Sequence, residues 1–183
     1  MKNDENGYAL RVPYPAPTLP EGASGQAFLA RLHGMASGRE GELTTICSYL
    51  YNALCCRRMG EERLAGIFDA VARTEMVHLR LLGEMILCCG GDPAYFAPGS
   101  GHKIWWSGSF VPYSRDPARM VRTALAGEQA ACAAYRALLP SLPAEARPCI
   151  ERILADEQHH VELFRSCLPA APTGRSRGSV KRA

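Results

Sequence analysis

The sequence predicts an all-α protein: a four-helix bundle made of two helical hairpins, with one long crossover between the second and third helices. Three observations lead there. Apolar residues recur at steps of three or four along four separate stretches. Short glycine or proline breaks divide the first stretch from the second and the third from the fourth. Between the second and third lies a run of about 25 residues without helical period, which extends to roughly 80 Å and so can return along a helix of about 45 Å.

Residues 1–23 carry Pro13, Pro15, Pro17 and Pro20, each lacking a backbone donor and biasing its predecessor away from helix, so an extended N-terminal arm is expected. The first helix runs from about Ser24 to Arg58. Gly34, Gly38 and Gly41 each cost on the order of 1 kcal/mol against alanine in a helix interior, which places a kink near Gly38. The second helix spans Glu61 to Cys89, with Leu64, Ile67, Phe68, Val71, Glu75, His78, Leu82 and Met85 on one face, and Gly90-Gly91-Asp92-Pro93 stops it. The crossover, 91–115, carries Trp105, Trp106, Phe110 and Tyr113 among glycines, serines and prolines and reads as core cover or a dimer contact. Asp116-Pro117 starts the third helix, its carboxylate suited to accept from free backbone N–H groups and its proline tolerated in the first turn. Pro140-Ser141-Leu142-Pro143 ends that helix near Leu139. A fourth follows from about Ala144 to Leu168, with Ile150, Ile153, Leu154, Glu157, His160 and Phe164 inward. The bundle then occupies 24–168, and 169–183 reads as a disordered basic tail.

A chain of 183 residues with 47% apolar and 21% charged residues suits one folded domain with tails. The net charge of +3 is deceptive, because Arg175, Arg177, Lys181 and Arg182 supply +4 of it and leave the body at −1. No cationic face for nucleic acid is expected. The first seven residues carry acids where a secretory signal carries bases, and no stretch approaches the roughly 18 apolar residues of a membrane span, so a cytoplasmic protein without a membrane partner is expected. Eight cysteines include the adjacent pairs Cys55-Cys56 and Cys88-Cys89 but no C-x-x-C, which argues against a zinc knuckle or rubredoxin-type iron site. In a reducing compartment most of them read as small buried apolar residues.

The chemistry lies in two four-residue strings, Glu75-Met76-Val77-His78 and Glu157-Gln158-His159-His160. Each sets a carboxylate and an imidazole on one helix face. One such string says little, since a surface pair has the same spacing. Here both lie within the apolar stripe, where an unpaired charge costs several kcal/mol to desolvate. Glu42 and Glu128 likewise share faces with apolar neighbours, Met35, Ile46 and Tyr49 for the first and Val121, Leu125, Cys132 and Tyr135 for the second. Register agrees. Glu42 and Glu75 are equidistant from the point between Arg58 and Met59, beside Gly60, and Glu128 and Glu157 from the point between Leu142 and Pro143, inside the Pro-Ser-Leu-Pro break, so each pair stands level across its hairpin. Gly41-Glu42 with Tyr49 recurs as Gly127-Glu128 with Tyr135, and a Glu-x-x-His helix follows in each half, as in a duplicated unit.

Four glutamates and two histidines at one depth predict a two-metal site of Glu42, Glu75, His78, Glu128, Glu157 and His160. Carboxylates bridge and neutralise two cations, and neutral imidazole completes the coordination of iron or manganese. Tyr49 and Tyr135 return to the same faces two turns on, placed to hydrogen-bond the ligand carboxylates. His159 stands about 100° around the helix from His160 and reads as a surface residue. Cys132 shares the face of Glu128 and reads as a packed thiol.

On these residues the chain resembles the rubrerythrin branch of the ferritin-like superfamily, with bacterioferritin-type spacing, over roughly residues 25 to 168. The crossover Trp106-Ser107-Gly108-Ser109-Phe110-Val111-Pro112-Tyr113 is similar to that of compact bacterial ferritin-like proteins. The resemblance implies that Glu75 and Glu157 bridge, that Glu42 and Glu128 are terminal, and that His78 and His160 each bind one metal. It implies a non-haem di-iron oxidoreductase reacting with O2 or H2O2, in oxidative-stress or iron handling, and expected as a homodimer. Rubrerythrins proper carry a further glutamate in the third helix, where Leu125 and Ala131 flank Glu128 here, and a four-cysteine rubredoxin domain that this sequence lacks. Peroxidase chemistry would then need a separate electron donor. The alternatives are two manganese ions and peroxide disproportionation without a donor, ferrous oxidation and iron storage, or a coat or structural protein stapled by its metal.

Overall fold

The computed structural model describes Tyr8, residues 12–19 and residues 25–168. The basic tail predicted over 169–183, and the rest of the arm, lie outside these. Among the described residues, five α-helices appear: α1 (Gln26–Ser37), α2 (Glu42–Arg58), α3 (Glu62–Cys88), α4 (Pro117–Leu138) and α5 (Arg147–Ser166). α2 packs on α3 and α4 on α5, giving the two hairpins of an all-α four-helix bundle, with α1 laid against α3.

The stretch expected as one kinked helix is two helices. α1 stops at Gly38, whose backbone turns extended, and α2 starts after Gly41, also extended. Packing at this step is close. A Cβ on Gly38 would lie 2.4 Å from the Gly34 carbonyl oxygen, and one on Gly41 2.6 Å from that of Met35. Thr44 Oγ donates to the Gly38 carbonyl at 3.0 Å and fixes the offset.

Gly60, at φ 80°, takes the left-handed conformation that lets α2 turn into α3. The crossover holds an antiparallel pair, β1 (Phe96–Pro98) with β2 (Lys103–Trp105). It covers part of the core: Phe96 and Val111 are buried, Phe96 stacks on His33 at 4.2 Å, and Trp106 Nε1 donates to Thr44 Oγ at 2.9 Å. Trp105 and Tyr113 remain exposed. As expected, Asp116 caps α4, accepting from the Ala118 N–H at 3.0 Å, with Pro117 in the first turn.

Two apolar layers fill the bundle. One joins Leu82 and Met85 of α3, Leu138 of α4 and Ile150 and Ile153 of α5. The other joins Tyr49 of α2, Phe68 and Val71 of α3, Met120 and Val121 of α4 and Phe164 of α5. The first halves of α3 and α4 share one layer and the second halves the other, so these helices run parallel, which is why a long crossover must connect them. Along α3, α4 and α5, the residues between the layers are Glu75 and His78, Glu128, and Glu157 and His160.

All eight cysteines are free, but the expectation that most are buried is corrected: Cys56, Cys132 and Cys149 are buried, Cys88 is exposed, and Cys47, Cys55, Cys89 and Cys167 are half-buried. Cys47, Cys55 and Cys88 lie in α2 and α3 at positions turned at least partly to solvent, and Cys89 and Cys167 follow the last residues of α3 and α5. Among the described residues, no helix is long and apolar enough to cross a membrane.

Candidate metal centre

The structure brings together all six side chains singled out in the sequence. They form two groups, Glu42, Glu75, His78 and Glu157, and Glu75, Glu128, Glu157 and His160, and in each group the potential ligand atoms lie within 4.8 Å of one another. Glu75 and Glu157 belong to both. Every member is buried, Glu75 and His78 with no exposed surface at all. The imidazoles stand opposite each other, 6.2 Å between ring centroids. Their Nδ1 atoms face the carboxylates: His78 Nδ1 lies 2.7 Å from Glu75 and 3.0 Å from Glu157, and His160 Nδ1 lies 2.9 Å from Glu75 and 3.4 Å from Glu128.

Close approach is not the same as satisfaction. Glu75 Oε1, Glu157 Oε1 and His160 Nδ1 are fully buried and lack any hydrogen-bond partner of correct alignment. Three such atoms in one cluster leave desolvation uncompensated. A cavity of about 30 Å³ lies among Glu42, Glu75, Glu128 and Glu157. The donor set is four carboxylates and two imidazoles with no thiolate, as oxygen- and nitrogen-preferring redox ions require.

Without metal, the charges balance internally. Burial raises the pKa of Glu42 well above the carboxylate range, with Glu75 and Glu157 adding repulsion. Burial and the Glu157 charge push Glu128 up to about 7. Burial alone would lower the pKa of His78, but the Glu75 charge and the Asp156 hydrogen bond outweigh it and raise it well above its ordinary value; His160 is raised likewise against burial, by Glu75 and Glu128. Glu75 and Glu157 stay ionised, with lowered pKa values despite burial, because the imidazoles face them.

Both tyrosines reach the centre as expected. Tyr49 donates to Glu128 and Tyr135 to Glu42, so each crosses to the other hairpin's terminal glutamate. The Tyr49 ring is wedged between Phe68 and Phe164, each at 5.3 Å, which aims its hydroxyl. His159 is half-buried and outside both groups, and Cys132 packs in the core.

Sequence reasoning missed a second ring of residues. Asp156 accepts from His78 Nε2 at 3.2 Å, turning Nδ1 inward. Arg152 pairs with Asp156 at 2.6 Å, and Tyr14 OH donates to Asp156 at 2.6 Å. The Arg152 guanidinium lies over the Tyr14 ring at 4.5 Å and donates to the Val12 carbonyl at 3.1 Å. Residues 12–19 are therefore pinned to the bundle beside the centre rather than merely extended. The available signal was the Arg152/Asp156 spacing of four on a face otherwise apolar.

A ferritin-like family profile matches residues 36–116. No curated protein matches the chain in sequence. In fold, the chain is similar to the wild-type manganese catalase KatB from Anabaena, with a TM-score of 0.74 and 19% identity, covering 95% of this chain and 85% of that one. It is also similar to the bacterioferritin of Desulfovibrio desulfuricans, described with a diiron site, with a TM-score of 0.63 and 20% identity, covering 84% of this chain and 95% of that one. The profile match covers the first hairpin and the crossover, and over nearly its whole length the chain has the fold of these ferritin-like helical bundles.

Proposed function

We propose that Glu42, Glu75, His78, Glu128, Glu157 and His160 hold two non-haem metal ions, iron or manganese, and that the protein is a rubrerythrin-like oxidoreductase acting on O2 or H2O2. The observation that carries this reading is the cluster of buried, unaligned donor atoms on Glu75, Glu157 and His160, shared between two ligand groups. Glu75 and Glu157, common to both groups, suit the bridging positions, and Glu42 and Glu128 the terminal ones. His78 and His160 would each offer Nδ1 to one ion. When bound, the ion pair supplies the electrons exchanged with the O–O bond of the oxidant. The chain's own residues exclude bulk water, fix the carboxylates through Tyr49 and Tyr135, and hold protons on Glu128 and Glu42 until cations displace them.

Manganese-dependent disproportionation of peroxide is the second reading, supported by the likeness in fold to a manganese catalase over 95% of the chain. Elemental analysis of the purified protein and of Glu75→Ala tests the centre itself: about two ions per chain are expected in the parent and a large loss in the variant. A parent chain that retains no iron or manganese, or a variant that binds as well, overturns it. The reaction is then read by oxygen evolution. Two H2O2 giving two H2O and one O2 without a donor marks disproportionation, whereas peroxide loss that requires an added reductant marks a peroxidase.

A further inference from the structure

The six side chains are buried, but the cavity among them shares lining residues with clefts at the surface. The cavity of about 30 Å³ among the glutamates has room for about one or two waters. Outward it is bordered by Glu40, Thr45 and Gly127. Glu40 and Gly127 also line a cleft of about 570 Å³ between α2 and α4, and Glu40 lines a groove of about 370 Å³ between α1 and α4. Both residues are exposed, and each lies close in sequence to a buried member of the centre: Glu40 stands two positions before Glu42, and Gly127 one before Glu128.

Gly127 calls for a reason. It lies inside α4, where glycine weakens a helix relative to alanine. Its φ is not positive, and a Cβ there would meet no heavy atom within 4 Å. Neither backbone conformation nor close packing requires glycine. What the missing side chain leaves is open space at the mouth of the cavity. Charge points the same way, because every charged residue bordering the inner cavity is a glutamate. Arg39, Arg119 and Arg122 line only the outer cleft, and two of them are engaged elsewhere: Arg39 lies over the Phe110 ring at 5.0 Å, and Arg122 approaches Asp116 at 3.8 Å.

We propose that the gap between Glu40 and Gly127 is the passage by which divalent cations enter the centre, Glu40 offering the first carboxylate and Gly127 setting the bore. This rests on the two-metal reading. The full-length metal-free protein, mixed with Co(II) in a stopped-flow instrument and followed in the visible, reports uptake without any turnover. Glu40→Gln should slow uptake about tenfold at low ionic strength, with the difference shrinking in salt. Gly127→Leu should slow it at every ionic strength, and both variants should still end at the parent's stoichiometry. Gly127→Ala should raise Tm by about 2–4 °C, since it strengthens the helix while filling the mouth. Two ions per chain taken up at the parent rate by both Glu40→Gln and Gly127→Leu overturns the passage and leaves the centre standing. A parent chain that takes up no Co(II) overturns both.

Discussion

Tyr135 on α4 donates its phenolic hydrogen to Glu42 on α2, 93 positions earlier in the chain and on the other hairpin. The Tyr49 bond to Glu128 is its counterpart, made in the opposite direction between the hairpins. Removing either hydroxyl leaves a buried carboxyl short of a partner, at about 1–3 kcal/mol. Tyr135→Phe and Tyr49→Phe should each lower stability by that order in urea denaturation. Each should also weaken metal binding about 10- to 100-fold, measured by competition with a chelator. Unchanged affinity in both would remove the tyrosines from the centre.

Metal loading should release up to four protons per chain below neutral pH, one each from Glu42, Glu128, His78 and His160, because all four are held protonated in the metal-free protein. A pH indicator in weak buffer counts them. The sign for stability follows from the same shifts. Glu128 has its pKa raised to about 7 from 4.5, so its contribution is full below 4.5 and is lost as pH rises through about 7. The raised imidazoles act in the same direction at higher pH. Tm of the chelated protein should fall from pH 5 to pH 8, while the gain in Tm on adding metal should grow over that range.

The arm makes a separate prediction. Tyr14→Phe deletes the hydrogen bond to Asp156 and should cost about 1–2 kcal/mol. Arg152→Ala strips Asp156 of its buried ion-pair partner and should cost about 3–5 kcal/mol. Urea denaturation gives both values. Equal small losses would mean that the Arg152–Asp156 pair is solvated.

Thiol reactivity separates the cysteines. Burial raises the pKa of Cys56, Cys132 and Cys149 to about 11, so at pH 8 only about one in a thousand of each is thiolate. Cys88 is exposed. A disulfide reagent at pH 8 should label Cys88 first and these three only on unfolding, as peptide mapping would show.

Gly41 tests the step between α1 and α2. Its Cβ would sit 2.6 Å from the Met35 carbonyl oxygen and 2.9 Å from that of Gly34, so Gly41→Ala should destabilise by about 1–3 kcal/mol. A neutral result would show that the backbone yields there.

The glutamates and histidines were legible because each interrupts an apolar stripe at helical spacing, and only a shared site explains four such interruptions at one depth. The turns were legible through Gly60 and Asp116-Pro117, whose local geometry does not depend on the rest of the chain. The break at Gly38 showed only as a kink, because its completeness comes from the crowding of Gly38 and Gly41 against the last turn of α1. β1 and β2 have three residues each, too few for an alternating pattern to register. Tyr14 and Asp156 meet across 142 positions, and nothing local in a proline-rich arm announces such a partner.

The crossed tyrosines bear on how the centre comes together. One hairpin alone carries two of the glutamates, one imidazole and a phenol with no acceptor to meet. Two copies of a single hairpin about a twofold axis would supply the whole set, but only at concentrations where they encounter each other. Joining the halves through the crossover turns that encounter into a first-order event, so the centre assembles at any dilution.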